Sequence, residues 1–483
     1  MRKRSSGVQS QDSKMADLPQ PSDSISLERV LELVSDGNRS AAELNRAVLV
    51  SLTQPLRIEC DPEQLFSAAS RFDSTRNYWA LPAKHSWIVG AGKAADMIAE
   101  GPQRFQRAAT LLQDRMNSAI VEENGGPGPV FMGGFRFNPL SPVEGLWEDF
   151  HDGLLTLPRW MITSQPNGRR WVTINVVVNA HTEIESLHKD LKIEAAELFD
   201  SPIDFPEPVS ASIKSQPAAD LWRRNVEQAL DAVKGGRLTK VTLARILKLR
   251  AGEPIVPEVV LRSLATNYPE CHVFAFCRSG ACFVGASPED LVSLHDENVS
   301  STCLAGSAPR GASESEDSQL SEWLLGNVKE RREHEVVVDW ISERMGKLCS
   351  KLQWDDAPHL MRLGNVQHLA THFTGRPKKG TNVLDFVHAL HPTPAVGGIP
   401  LEPALEMIER LEKFDRGWYT GPVGWVDKNG SGEFAIAIRC ALLRGNESFL
   451  YAGGGIVVGS DPDREDQETM IKFKPLLTAL GVP

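Results

Sequence analysis

Apolar residues recur every three to four positions in ISLERVLELV, where Ile25, Leu27, Val30, Leu31, Leu33 and Val34 follow a helical stripe and Ser24 can cap it. The pattern predicts a largely helical stretch over 24–58. From about 75 to 210 the period shortens. WVTINVVVNA is β-branched and partly alternating, and VEENGGPGPVFMGGFRFNP is punctuated by Gly and Pro, so strands and turns are expected. The segment 201–217, SPIDFPEPVSASIKSQP, carries four prolines and reads as a connection. LWRRNVEQALDAV then returns to an amphipathic helical stripe that stops at Gly235–Gly236.

The second half is more sharply patterned. KVTLARILKLRAG reads as a strand, HVFAFCRSGACFVGA as a hairpin turning at Arg278–Gly280, and LVSLHDENVSSTCLAG as another turning near Asp296–Asn298. SQLSEWLLGNVKERREHEVVVDWISERM predicts one long helical stretch, and GPVGWVDKNGSGEFAIAIRCALLRGNESFLYAGGGIVVG an antiparallel set. The last helix starts at an Asp461 cap before Pro462. No repeat period or heptad is present. The pattern is α+β.

Composition narrows the function classes. The 483 residues hold 52 Lys+Arg and 63 Asp+Glu, a formal charge of −11, with 41% hydrophobic and 24% charged residues. That is an ordinary globular balance, and its acidity argues against nucleic acid or an anionic membrane as the main partner. An anionic small substrate stays open, because a pocket need not follow the net charge. No apolar run is long enough to span a bilayer. The seven cysteines (Cys60, Cys271, Cys277, Cys282, Cys303, Cys349 and Cys440) are scattered without a CxxC pair, which suggests reduced core residues in a cytoplasmic protein. Residues 1–23 read as a disordered basic leader, with a second start conceivable at Met15; the acidic Asp12 and Asp17 count against a transit peptide. Length suggests about three domains.

Three clusters invite chemistry. Gly90-Ala91-Gly92-Lys93-Ala94-Ala95 is a GxGxxA after the apolar run WIV, but no series of βαβ units surrounds it, and a tight strand-to-helix turn is preferred to a nucleotide site. Glu330 and Glu333 lie three apart in the long helix; Glu465 and Glu468 repeat the spacing in the last one, with Lys472 a turn further. Such faces brought together would suit Mg²⁺, and equally they are ordinary solvated helix faces. Gly453-Gly454-Gly455 could turn backbone N–H groups to an anion or simply form a bulge. His388 and His391, and His334 beside Glu333, read as structural, the last as helix-surface composition.

The ordered segments KVTLAR, FVGASPEDL, CLAGSAPRG, VKERREHEVVVD, GNVQHLATHFTG, HPTPAVGGIP, RGWYTGPVGW, FAIAIRCA, YAGGGIVVGSDPDRE and QETMIKF, between Lys240 and Phe473, together resemble the chorismate-utilising enzymes. GGPGPVFMGGFRF extends the likeness loosely toward the amino terminus. The resemblance implies a single large α+β domain of two packed antiparallel sheets with helices outside, as in anthranilate synthase component I. Residues 24–210 would form its amino-terminal part and 211–483 the catalytic region, replacing the three domains suggested by length.

The same resemblance implies site roles. Mg²⁺ would sit on Glu333 and Glu468, with Glu330 and Glu465 nearby or acting through water. Arg439 and Tyr419 would meet the enolpyruvyl carboxylate, Gly453 and Gly455 would offer N–H groups, and Lys472 a positive charge. His368 and Thr393 would line the pocket. The segment Leu304-Ala305-Gly306-Ser307 has Ala305 where one branch carries a nucleophilic lysine, excluding covalent catalysis there. Lys240 stands where water-using members carry their base, and Glu289 would protonate the departing C4 hydroxyl. Burial or nearby Mg²⁺ would have to favour neutral Lys240, and Glu289 would have to stay protonated. The expected activity is that of an isochorismate synthase, an isomerase acting on chorismate, with salicylate synthase as the alternative and a non-enzymatic nucleotide-binding protein behind both. Its product would serve menaquinone, phylloquinone or siderophore pathways. Members of the water-using branch are often monomers, and the chain is expected to be one.

Overall fold

The computed structural model describes residues 21–140, 145–200, 205, 211–215, 219–362 and 366–482. Most of the leader and of the proline-rich 201–217 segment lies outside the described residues. The first half contributes α1 (Leu27–Leu44), β1 (Val48–Pro55), α2 (Pro62–Ala68), β2 (Arg76–Leu81), β3 (Ser86–Ile98), α3 (Arg104–Met116), β4 (Ile120–Glu122), β5 (Val130–Phe135), β6 (Gly153–Ser164), β7 (Arg170–Val178) and α4 (Ile184–Phe199). Then come β8 (Ala211–Ser215), α5 (Ala219–Lys234), β9 (Lys240–Ala251), α6 (Pro257–Asn267), β10 (His272–Arg278), β11 (Ala281–Ser287), β12 (Asp290–His295) and β13 (Asn298–Pro309). Next are α7 (Glu314–Gly326), α8 (Val328–Leu348), β14 (Cys349–Trp354), β15 (His359–Arg362), β16 (Val366–Pro377), α9 (Val383–Leu390), β17 (Gly398–Ile399) and α10 (Leu401–Leu411). The last elements are β18 (Pro422–Asp427), β19 (Gly432–Ile436), β20 (Cys440–Arg444), β21 (Glu447–Val457) and α11 (Pro462–Ala479).

Antiparallel neighbours run β8–β9–β21–β20–β11–β10–β2–β3–β6. Strand β6 then changes partner along its length: Gly153–Thr156 pairs with β5, and Trp160–Ser164 with β7. The β7 branch continues to β1 and β4, the β5 branch through β18, β19, β12 and β13 to β16. Two layers thus share one hydrogen-bonded network that divides at β6.

Side-chain alternation says what each layer faces. On β10, Phe274 and Phe276 enter an aromatic interior with Trp147, Phe283, Trp418 and Tyr451, while Val273 and Ala275 join the helix-covered core that includes α1 and α11. On β19, Ala435 faces the same aromatic interior, and Phe434 and Ile436 face the core beneath α8 and α9. The aromatic interior therefore lies between the sheets, and helices cover the outer faces. The expected two-sheet α+β architecture holds.

Local details depart from the sequence reading. Only Leu27–Leu44 of 24–58 is α-helical, with Ser26 at the N-cap position; Val48–Pro55 is a strand buried on both faces, with Ser51 and Thr53 buried among its apolar residues, so no inside–outside alternation marks it as a strand. Gly90–Ala95 stays within β3, where a Cβ at Gly90 would lie 2.5 Å from Pro158 Cγ, so its glycines serve neither a nucleotide nor a strand-to-helix turn. The long helix breaks at Asn327, whose side chain accepts the Glu330 N–H and starts α8 afresh. The cysteines are not all reduced: Cys277 and Cys282 face each other across the β10–β11 hairpin and form a disulfide. A spacing of five conceals this pair until the hairpin register is known. Cys60, Cys271, Cys303, Cys349 and Cys440 are free thiols. No helix among the described residues is long and apolar enough to cross a membrane.

Candidate active site

Strands β9 and β21 form the floor of the site. The Thr242 N–H bonds Gly397 O at 2.9 Å and the Ala244 N–H bonds Glu412 Oε1 at 2.7 Å, so both amides turn away from β21. Gly455 and Gly453 stand opposite these residues, and antiparallel geometry turns their own amides outward as well. Strand β20 accompanies β21 only as far as Tyr451, leaving the edge open at the glycines. Both N–H groups thus turn away from β9, where β20 no longer pairs with β21.

The glycines also make room. A Cβ at Gly455 would lie 2.7 Å from Lys240 Cε, and one at Gly453 would lie 3.0 Å from the Tyr419 hydroxyl. Gly454 points to the other face, where a Cβ would meet Glu465 Oε2 at 2.8 Å. Glu465 therefore lies across the strand from Lys240. Lys472 reaches back from α11 to donate to Gly453 O at 2.7 Å, and it pairs with Glu468 at 2.7 Å.

Lys240 is buried at the start of β9, with Nζ 2.7 Å from Glu333 Oε1 on α8. The charge of Lys240 holds the Glu333 carboxyl below its usual range despite burial. In this arrangement the lysine nitrogen is engaged and not offered to a substrate. Glu289 lies between β11 and β12; burial pushes its carboxyl up to about 7, against the opposing pull of Lys240, Arg439 and Lys472. Its neighbour Asp290 adds to the rise and is itself bonded to His272.

Arg439 adopts a left-handed backbone, φ 51°, just before β20. Lost hydration lowers its affinity for its proton, partly offset by Tyr419, Cys271, Glu468 and Glu289, and among the described residues no carboxylate forms an ion pair with it. A desolvated guanidinium with no carboxylate bonded to it is suited to an anion. His368 is held to about 4 by burial and by the charges of Arg439 and Lys472, so it is neutral at pH 7; its Nδ1 lies 2.8 Å from Ser307 Oγ. The Ser307 N–H donates to Glu330 Oε2 at 3.2 Å across a bulge at Gly306, which has φ 76°. Ala305 is buried on the same strand. Thr393 is buried with its hydroxyl unpartnered, lining a small pocket with Glu289 and Cys303.

Oxygen ligands from two helices suit a hard cation, and Glu333 and Glu468 feel each other's charge. Lys240 and Lys472 now compensate these two carboxylates. Among the described residues no three acidic, histidine or cysteine side chains converge as a ready metal cage. A two-carboxylate Mg²⁺ site completed by water and substrate fits this donor set. Burial, then Glu468, pushes Glu465 up to about 7, and its place behind Gly454 separates it from Lys240.

Some residues were misplaced or missed in the sequence. His334 is not on a helix surface but 1% exposed, with Nδ1 3.0 Å from Ala305 O and Nε2 2.7 Å from Thr371 Oγ1. Glu412 and Arg416 form a buried pair that holds β9 to the loop carrying Thr393. Their i, i+4 spacing was visible, but nothing in it signalled burial. The rings of exposed His388 and buried His391 both pack against Phe105.

The chorismate-binding enzyme family model matches residues 36–481. The chain belongs to the chorismate-binding enzyme family. Within it, the chain is 36% identical over 458 residues to the isochorismate synthase MenF of Bacillus subtilis, covering 91% of this chain and 95% of that protein. It is 35% identical over 451 residues to a salicylate biosynthesis isochorismate synthase of Pseudomonas aeruginosa, covering 91% and 92%. The solved structure of MenF, the menaquinone-specific isochorismate synthase of Escherichia coli, matches with a TM-score of 0.76 at 26% identity, covering 94% of this chain and 99% of that one. Anthranilate synthase component I of Streptococcus pneumoniae, at 21% identity and a TM-score of 0.64, shares the fold of this chorismate-binding chain.

Proposed function

We propose that the chain is an isochorismate synthase. The observation that carries this reading is the placement of Glu289, an acid held near neutrality, within the field of Lys240, Arg439 and Lys472. An acid with this affinity for its proton is suited to general-acid work at pH 7. Arg439, Lys472 and the open Gly453–Gly455 edge offer positive charge and N–H donors to the two carboxylates of chorismate.

In this reading Lys240 takes a proton from water as the oxygen bonds to C2. The ring double bonds shift, the C4–O bond breaks, and Glu289 delivers the proton with which the C4 hydroxyl leaves as water. The two proton transfers balance, so the reaction is an isomerisation. Glu333 and Glu468 are the residues that would hold Mg²⁺, with Glu330 beside them. When bound, the ion would neutralise the ring carboxylate and compete with Lys240 for Glu333. Neutral His368 and Ser307 form an uncharged wall that orients substrate.

Incubating the pure protein with chorismate and Mg²⁺ and separating the products by chromatography tests the assignment. Isochorismate is the expected product; salicylate would move the reading to a salicylate synthase, and unchanged chorismate would overturn it. The metal assignment is checked separately by calorimetric titration of Mg²⁺ into protein stripped with EDTA, where Glu333→Gln and Glu468→Gln should each weaken binding.

A further inference from the structure

We propose that His334 is a positioning residue that sets the rotation of α8 so that Glu333 meets Lys240; this rests on the reaction assigned above. His334 follows the site glutamates of α8, and Glu330, His334 and Val337 share one side of the helix with Glu333 beside them. Val337 is buried in the core beneath α8. The imidazole bridges to two strands. A carbonyl can only accept, so Nδ1 donates to Ala305 O on β13, at 3.0 Å; Nε2 then accepts from the Thr371 hydroxyl on β16, at 2.7 Å. Cys303 Sγ packs on the same ring at 3.8 Å.

Both anchors adjoin the site. Ala305 precedes the Gly306 bulge, beyond which Ser307 bonds Glu330 and His368. His334 therefore fixes α8 against the segment that carries these groups, while Glu333, one residue earlier, projects to Lys240. Side-chain ends lie roughly 6 Å from a helix axis, so a turn of about 20° would carry the Glu333 carboxylate about 2 Å from Lys240. A displacement of that size is enough to break the pair.

The test compares His334→Leu, His334→Asn and Thr371→Val with the wild-type chain. Asn keeps an amide donor near the place of Nδ1, Leu keeps only bulk, and Val removes only the Nε2 partner. A pulse of acetic anhydride followed by peptide mass spectrometry reads Lys240 protection, with Lys472 as the internal control. In the Leu and Val variants Lys240 should label several-fold faster while Lys472 is unchanged; Asn should restore protection. With chorismate, Leu should lower kcat about 100-fold with little change in KM, and Asn should recover most of it. Should Leu fail to fold, the isosteric Thr371→Val still decides. Equal Lys240 labelling in wild type and Thr371→Val would overturn the positioning role. A wild-type chain inert to chorismate would instead overturn the assigned reaction, leaving the labelling comparison to decide the role of His334.

Discussion

Lys240 Nζ lies 2.7 Å from Glu333 Oε1, so the proposed base and a proposed metal ligand hold each other. Two residues acting as one unit give non-additive losses. Lys240→Ala should lower kcat by about 10³-fold or more with chorismate, with the circular dichroism spectrum unchanged. Glu333→Gln should also lose most activity, and the double variant should be scarcely worse than Lys240→Ala alone. Losses that multiply would show that the two side chains act separately.

The carboxyl of Glu289 makes opposite demands on activity and stability. As the acid it must be protonated, so kcat should fall as pH rises through about 7. Below the ordinary glutamate range both folded and unfolded chains hold the proton, and burial carries no linkage penalty. Between that range and about 7 the unfolded chain ionises first, so the folded state loses stability, and the loss levels off above about 7. Glu289→Gln should therefore abolish turnover yet stabilise the chain at pH 8 by up to about 3 kcal/mol, with little gain at pH 4. Urea unfolding at both pH values measures this. A destabilised Gln variant at pH 8 would contradict the burial argument.

Turns and caps were legible because they carry distinctive local residue patterns. The hairpin turns at Ser279–Gly280 and Asp296–Glu297 were placed correctly because left-handed backbone there has a residue signature. The Asp461 cap was legible for a similar reason, and its side chain accepts the Asp463 and Arg464 N–H groups. What stayed hidden depends on partners distant in sequence. His334 looks like a surface residue until β13 and β16 are laid beneath α8, and Glu465 looks equivalent to Glu468 until the pleat of β21 puts it behind Gly454. Cys277 and Cys282 become a pair only through hairpin register, and β1 was mistaken because both of its faces are covered.

The glycine at 455 leaves space for a side chain rather than for backbone freedom. A methyl group there would come within 2.7 Å of Lys240 Cε, the last carbon of a flexible side chain. Lys240 can move aside, so Gly455→Ala should cost little stability but misplace the amine. A shift of about 1 Å is expected to lower kcat about 100-fold, with the melting temperature nearly unchanged. Gly453→Ala differs, because its methyl would meet the Leu243 carbonyl at 2.5 Å, backbone that cannot yield cheaply. That variant should lose stability as well as activity, and calorimetry with steady-state kinetics separates the two.

The buried Glu412–Arg416 pair holds the floor of the site from beneath. Glu412 Oε1 accepts the Ala244 N–H and Arg416 Nη2, while Arg416 also donates to Val396 O, Thr242 O and the Thr420 hydroxyl. Both side chains are 3% exposed. Removing the carboxylate would leave Arg416 charged in a dry site and the Ala244 amide without its acceptor. Glu412→Ala should therefore lose about 3–5 kcal/mol in urea unfolding. Glu412→Gln keeps an acceptor for Ala244 but no charge, so its loss should be smaller yet still measurable. Because Thr242 and Val396 connect β9 to the loop bearing Thr393, the Gln variant should also bind chorismate more weakly, raising KM more than it lowers kcat. Wild-type stability in Glu412→Ala would mean that water reaches Arg416 and that the pair does not hold β9.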